Sequence, residues 1–279
     1  RREVQATFGM LSGLSAAGIP VSFTNPAGPL FLRFPRRNHK KLAIVDDHVA
    51  YIGGINYSDH NFAWRDLMLR IEGHEAVRFL GEDFLRTWSG RAAASSARFP
   101  GLELHALDGR RNEVLFEEVV LSAVDRARGR IYVECAYVTS PFLERLGAAG
   151  RRGVHVTVVT PEANNWGLVR DLLRWPRATR GIDVRLYRGR MTHMKALLVD
   201  DEVLVLGSAN FDLWSYHFQG EYLARVTDPA LIEDFGTRVA AEGLRSSRPV
   251  EAPAGPVRGG LARLALRSLE ALTLRLSGS

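Results

Sequence analysis

Along the second half of the chain the apolar positions switch repeatedly between a run and a helical spacing, and this predicts an α/β fold. RIYVECAYV (130–138) is a near-continuous apolar run of strand length, the pattern of a strand covered on both faces. PFLERLGAAGRRG (141–153) places apolar residues at helical spacing and ends on glycine, a helix with its stop signal. VHVTVVT (154–160) predicts a second strand, the stretch from Trp166 to Trp175 a helix, and GIDVRLY (181–187) a third strand. KALLVD (195–200) and EVLVLGSAN (202–210) then predict two strands joined at Asp200-Asp201.

The first half repeats only part of this order. AAGIPVSF (16–23) corresponds to RGIDVRLY, and KLAIVDD with HVAYIGGIN corresponds to the later strand pair. From Arg130 to His193 there are 63 residues, whereas only 38 precede His39, among them a Pro- and Arg-rich loop from Asn25 to Asn38. The opening RREVQATFGMLSGLSAAG is helix-like and has no initiator Met. The first half is therefore expected to lack a strand–helix–strand unit, as in a truncated or internally started form of a longer protein. Taking parallel strands out of a sheet interior exposes a large apolar surface. An asymmetric but complete first half is the other reading.

EAVRFLGEDFLRTWSG (75–90) predicts a helix with Val77, Leu80, Phe84 and Trp88 as its apolar positions. SGRAAASSARFPG (89–101) reads as a low-complexity connector, and NEVLFEEVVLSAVDRARG (112–129) as the helix that opens a second domain. SSRPVEAPAGPVRGG (246–260) is a Pro/Gly-rich linker into LARLALRSLEALTLRL, whose Leu261, Leu264, Ala265, Leu269, Leu272 and Leu276 share one helical face, with Arg263 and Arg267 opposite. Such a helix lies on a membrane surface or packs on the core as a terminal helix. The expected division is a first half at 1–95, a second at 101–245, and a linker with a basic amphipathic helix at 246–279.

Composition narrows the picture modestly. The chain has 279 residues, 46% of them hydrophobic, which is ample for a buried core. A formal charge of +6, with Arg far outnumbering Lys, favours an anionic partner such as phospholipid, nucleic acid or a phosphorylated metabolite. A generally Arg-rich proteome gives the same charge. Cys135 is the only cysteine and sits in an apolar run, so no intrachain disulfide forms and a core role is expected. No apolar stretch reaches the ~18–20 residues that a transmembrane helix needs, and the start has no signal-peptide pattern.

The chemistry lies in a motif that appears twice. His39, Lys41 and Asp46 in NHKKLAIVDD are matched by His193, Lys195 and Asp200 in THMKALLVDD. Gly53 and Asn56 lie 14 and 17 residues after the first histidine, and Gly207 and Asn210 lie 14 and 17 after the second. An acid follows each copy, Asp66 at 27 residues and Glu221 at 28. Matched offsets point to one pseudo-twofold active site with half from each copy. One neutral imidazole can attack phosphorus and form a phosphohistidine, while the other donates a proton to the leaving alkoxide and takes one from the next nucleophile. Lys41 and Lys195 supply point charges to the phosphoryl oxygens, with Asn56 and Asn210 as amide donors. Asp66 or Glu221 can hold a histidine Nδ1 and so fix its tautomer. The other histidines, His48, His60, His74, His105, His155 and His217, have no metal-ligand spacing.

The repeated H-x-K-x4-D-x6-G-[GS]-x-N resembles the phospholipase D superfamily, over about residues 2 to 235. RNHKKLAIVDDHVAYIGGIN, WRDLMLRIEG (64–73) and MKALLVDDEVLVLGSANFD most resemble bacterial cardiolipin synthases and related phosphatidyltransferases. The resemblance implies two αβα-sandwich halves around one site, with neither cofactor nor catalytic metal. It implies His39 as nucleophile and His193 as general acid/base, with Lys41, Lys195, Asn56 and Asn210 on the phosphate. Asp66 and Glu221 orient the histidines, and the motif's own Asp46 and Asp200 are structural rather than chemical. NFDLWSYHFQGE (210–221) departs from the synthase pattern, with Trp214 where Arg is usual, and ECAYVTSP (134–141) stands where a T-P-Y-F-x-P run is usual. The expected function is phosphatidyl transfer between an anionic phospholipid such as phosphatidylglycerol and an alcohol, on the cytoplasmic side of a membrane. A phospholipase D-type hydrolase, a nuclease whose DNA affinity falls with salt, and a catalytically dead lipid-binding scaffold are the alternatives.

Overall fold

A computed structural model describes residues 2–24 and 36–277, with side chains described at 9–24 and 36–275. The first half contributes α1 (Arg2–Ala16), β1 (Leu42–Val45), β2 (Val49–Gly53), α2 (Asp59–Phe62), β3 (Met68–Glu72) and α3 (His74–Trp88). These three strands form an antiparallel sheet in the order β1-β2-β3. Next come β4 (Ser95–Phe99) and β5 (Leu102–Ala106), then α4 (Asn112–Phe116), which runs through a π turn (Glu117–Leu121) into α5 (Ser122–Arg126). The α/β run follows: β6 (Arg130–Cys135), α6 (Phe142–Arg151), β7 (His155–Pro161), α7 (Gly167–Leu173) and β8 (Asp183–Tyr187). β9 (Lys195–Val199), β10 (Val203–Gly207), α8 (Leu213–His217) and β11 (Tyr222–Val226) complete the second motif. α9 (Pro229–Asp234), a second π turn (Phe235–Ala240), α10 (Ala241–Arg245), β12 (Ser247–Pro249) and α11 (Pro256–Ser277) close the described chain.

The larger sheet has nine strands in the order β12-β8-β7-β6-β9-β10-β11-β5-β4. β6, β7 and β8 pair in parallel, and the rest are antiparallel. Strand periodicity builds two cores from one sheet. Along β9, Leu197 and Val199 join Val133, Phe142, Val158 and Leu172 under the helices. Ala196 and Leu198 face the other way, with Ile52, Leu69 and Ile71 of the small sheet and Leu204 and Leu206 of β10. The small sheet thus covers one face of the large sheet while α4–α8 and α11 cover the other, and both motifs end on the same side of the molecule.

Four expectations are corrected. Residues 17–24 are not a strand: β8 holds its conformation by pairing in parallel with β7, and the described first half offers no such neighbour. Part of the expected connector is β4, which pairs with β5 from Ser95↔Ala106 to Phe99↔Leu102, so backbone pairing overrides a low-complexity composition. The expected loop 25–38 lies mostly outside the described residues. The linker at 246–260 is partly β12, paired to β8, and partly the first turn of α11. In α3 the buried positions are Ala76, Val77, Leu80, Asp83 and Thr87, with Phe84 and Trp88 exposed. The helix turns Asp83 inward because that carboxylate meets Lys40 Nζ at 2.7 Å and the Tyr222 hydroxyl at 2.6 Å.

Candidate active site

Each motif hairpin is turned by its two aspartates. Asp46 and Asp47 (φ 52° and 56°) and Asp200 and Asp201 (φ 51° and 56°) take the left-handed conformation, which a type I′ turn requires and aspartate tolerates. The Asp200 carboxylate accepts the backbone N–H groups of Arg128, Gly129 and Arg130, each at 2.8 Å. Asp46 occupies the matching turn and is exposed. Each turn aspartate lies five residues of extended chain beyond its lysine, ~15 Å away. Asp46 and Asp200 are therefore not brought to the histidines.

Lys41 and Lys195 are, and both are buried. Lys41 Nζ donates to the His39 carbonyl at 2.7 Å. Lys195 Nζ lies 3.0 Å from each ring nitrogen of His193 and donates also to its carbonyl. Burial lowers both ammonium pKa values, Lys41 to about 7, where Glu221 opposes the shift and Lys195 adds to it.

The acids cross between copies. His39 Nδ1 lies 2.8 Å from Glu221 Oε1, and His193 Nδ1 lies 2.8 Å from Asp66 Oδ2. A carboxylate only accepts, so each Nδ1 carries the proton and each Nε2 keeps its lone pair. The backbone repeats the exchange: His39 N–H donates to Gly220 O at 2.8 Å and His193 N–H to Arg65 O at 2.7 Å. In both cases the acceptor is the residue before the orienting acid. Burial lowers the pKa of His39, against the pull of Glu221. Burial and then Lys195 bring His193 to about 4, against Asp66.

The motif glycines make this approach possible. A Cβ on Gly53 would lie 2.1 Å from Leu67 O, and one on Gly207 would lie 2.1 Å from Tyr222 O. Such contacts forbid any side chain where the next strand delivers its acid. Asn210 is buried with its Oδ1 unpartnered, and Asn56 is half-buried at the matching place after β2.

Several contributors escaped the sequence reading. Glu221 is fully buried; its Oε1 accepts the Ser215 hydroxyl at 2.8 Å and its Oε2 the Ser208 hydroxyl at 2.5 Å. Ser215 is set by Asp212, which caps α8 by accepting the N–H groups of Trp214 and Ser215, both at 3.0 Å. Burial pushes that Asp212 carboxyl up to about 7 despite the two N–H donors. Trp64 and Tyr137 stand beside His193, with ring centroids at 5.0 and 6.2 Å. Ser208, inside GSAN, was the one visible signal; the others depend on where loops return. Cys135 is buried, its thiol pushed up to about 11 by burial, as befits a core residue.

Two lone-pair nitrogens and two ammonium groups thus converge from copies far apart in sequence, an arrangement fitted to a tetrahedral anion. A family model described as cardiolipin synthase, PLD-like domain, matches residues 2–88 and 120–241. The chain belongs to this family, within the phospholipase D superfamily. Cardiolipin synthase B of Escherichia coli (strain K12) is 30% identical over 225 residues, 71% of this chain and 54% of that protein. Minor cardiolipin synthase ClsB of Bacillus subtilis (strain 168) is 28% identical over 250 residues, 80% of this chain and 61% of that protein. The chain spans about half the length of the curated relatives it matches. The crystal structure of phosphatidylserine synthase from Haemophilus influenzae covers 94% of this chain and 76% of its own, with a TM-score of 0.67 at 15% identity, a likeness of fold. No helix among the described residues is long and apolar enough to cross a membrane.

Proposed function

We propose that this protein transfers a phosphatidyl group from an anionic phospholipid to an alcohol through a phosphohistidine intermediate. The observation that supports it is the crossed pairing of His39 with Glu221 and His193 with Asp66, around two buried lysines. His39 is the nucleophile: its side chain is 25% exposed against 5% for His193, so its Nε2 is the accessible lone pair. His39 Nε2 attacks phosphorus, and the bond from phosphorus to the headgroup oxygen breaks. The departing alkoxide takes a proton from His193. The acceptor hydroxyl then returns its proton to His193 as its oxygen attacks phosphorus, and the phosphorus–nitrogen bond breaks. The His193 pKa of about 4 reflects burial and a neighbouring ammonium group; the charge of an arriving phosphodiester raises it and supplies the protonated acid. Lys41, Lys195, Asn56 and Asn210 hold the non-bridging oxygens. Relatives named cardiolipin synthase, at 27–30% identity, support phosphatidylglycerol as donor and a lipid hydroxyl as acceptor.

Incubation of the full-length protein with labelled phosphatidylglycerol, with and without added glycerol, tests the reading. Cardiolipin as product supports it. Phosphatidic acid alone makes the protein a hydrolase, and cutting of single-stranded DNA without lipid turnover overturns the lipid reading.

A further inference from the structure

α11 is fastened along α7. Ala254 N–H donates to Arg174 O at 2.9 Å, Arg258 meets Asp171 at 3.0 Å, and Gly259 lies against Trp175, where a Cβ would come within 2.2 Å of the indole. Ala262 and Leu266 are buried beyond it. So placed, α11 closes a cavity of about 230 Å³ against α6 and the turn that follows α7. None of His39, Lys41, His193 and Lys195 lines it, so it is a compartment apart from the histidine site.

The floor of this cavity is apolar, made of Leu143, Leu172, Leu213 and Leu266, all buried. The rim is cationic. Arg151 comes from α6, Arg177 and Arg180 from the turn, and Arg263 and Arg267 from α11, against the carboxylates of Glu144 and Glu270. That is a surplus of three positive charges, half of the chain's formal net charge of +6. Glu144 is already met by Arg267 at 4.0 Å and Glu270 by His217 at 3.3 Å. Among the described residues Arg151, Arg177, Arg180 and Arg263 form no ion pair. Gly147 leaves them room: a Cβ there would lie 3.3 Å from Arg151 Nη1 and 3.1 Å from Arg180 O. The concavity at the Asp200 turn is a useful contrast. It too is lined by four arginines, but Asp200, Asp201 and Glu202 stand in the same lining. There Arg130 meets Asp201 at 2.5 Å and Arg225 meets Glu103 at 2.9 Å. Arginine-rich walls in this chain are therefore neutralised at one hollow and left cationic at the other.

Like charges set around low-dielectric walls focus a positive potential into the hollow between them. The guanidinium fork fits the paired oxygens of a carboxylate or a phosphate. A surplus of three charges favours a dianion, and a phosphomonoester carries about −1.5 to −2 near pH 7. The leucine floor requires an apolar stem behind that head. The volume is below the ~300–1,000 Å³ of sites for drug-sized ligands, so a head and a short stem fit and a nucleotide does not. We propose that this cavity binds a phosphomonoester carried on an apolar stem, the chemistry shared by a soluble alkyl phosphate and the head of a lipid phosphomonoester.

The test is titration calorimetry of the full chain carrying His39→Asn, which stops turnover. The probes are hexyl phosphate, dihexanoyl phosphatidic acid below its micellar concentration, and inorganic phosphate. Both esters are expected to bind more tightly than inorganic phosphate, by about fourfold for each methylene that the floor buries. Tighter binding of hexyl phosphate identifies a soluble ester as the ligand class, and tighter binding of the phosphatidic acid identifies a lipid. Arg177→Gln with Arg180→Gln is expected to weaken both esters by roughly 100-fold, and Arg263→Gln alone by about tenfold, the loss of one charge-assisted hydrogen bond per guanidinium. These side chains are exposed or half-buried, and thermal melts establish that both variants fold. Ester binding that persists undiminished in the folded double variant belongs to the histidine site and overturns the proposal. Inorganic phosphate binding as tightly as the esters also overturns it, because the arginines then attract anions with no use of the cavity behind them. Neither outcome depends on whether the histidines turn over lipid.

Discussion

Three lysines occur in the whole chain, and all three stand at the motifs: Lys40, Lys41 and Lys195. In a chain that otherwise uses arginine, a compact point charge that can reside buried was retained where the phosphate is proposed to bind. The orienting acids offer the sharpest test at this scale. Asp66→Asn and Glu221→Gln preserve shape but offer an amide to Nδ1, so each is expected to lower kcat by roughly 10²–10⁴-fold with little change in KM. A change confined to KM would contradict an orienting role. The imidazoles also leave a mark on stability. An imidazole whose pKa falls from 6.5 to about 4 on folding contributes stability that is complete above 6.5 and is lost as pH falls through about 4. Asp212, raised to about 7, acts in the opposite sense over much of that range, so the wild type alone reports a sum. The stability difference between wild type and His193→Asn isolates the imidazole. Denaturant unfolding should show it shrinking by roughly 2–3 kcal/mol between pH 7 and pH 4.5. The ten residues at matched offsets were visible in the sequence, because spacing alone sets them apart. The crossing was not: nothing local says that Asp66 serves His193 and Glu221 serves His39, since the pairing is made by chains that return from 127 and 182 residues away.

At the scale of elements, two short parallel bridges join the halves, Asn38 with Gly220 and Arg65 with Thr192. Arg65 N–H donates to Met191 O at 2.8 Å and Arg65 O accepts from His193 N–H at 2.7 Å. The side chain of Arg65 meets Glu134 at 2.8 Å, reaches Glu242, and donates to Val239 O at 2.8 Å. Glu134 is fully buried and is held also by the Tyr132 and Thr192 hydroxyls, at 2.7 and 2.5 Å. Arg65→Met would leave that carboxylate without its cation, at a cost of about 3–5 kcal/mol in unfolding free energy. It should lower activity as well, because Arg65 precedes Asp66. Gly207→Ala would set a Cβ 2.1 Å from Tyr222 O and push β11 away from β10. Loss of activity with the fold retained is expected, read by circular dichroism beside turnover. The strands and helices of the second half were legible because each buried strand is a long apolar run. β4 was not, since SSARF has no apolar run and becomes a strand only through its ladder with β5. The α3 stripe misled because Asp83 pairs in the interior; α11, for which a membrane surface and packing on the core were both open, packs on the core through Gly259, Ala262, Leu266 and Thr273.

At the scale of the whole molecule, both motifs rise to one side of a nine-stranded sheet, and the first half rests on that sheet as three strands and α3. Duplication in the sequence thus becomes an arrangement in which each copy's histidine meets the other copy's acid. Since each histidine depends on the other copy's acid, disabling one half should disable both. The central claim is that the two copies make one covalent-catalysis site with His39 as its nucleophile. Its most direct test is a rapid denaturing quench at neutral to mildly alkaline pH, where a phosphorus–nitrogen bond survives, of full-length wild type, His39→Asn and His193→Asn after brief exposure to labelled phosphatidylglycerol, followed by peptide mass spectrometry. The phosphatidyl adduct is expected on His39 in the wild type, to accumulate or persist in His193→Asn, and to be missing in His39→Asn. An adduct on His193, or an equal one in His39→Asn, would contradict it.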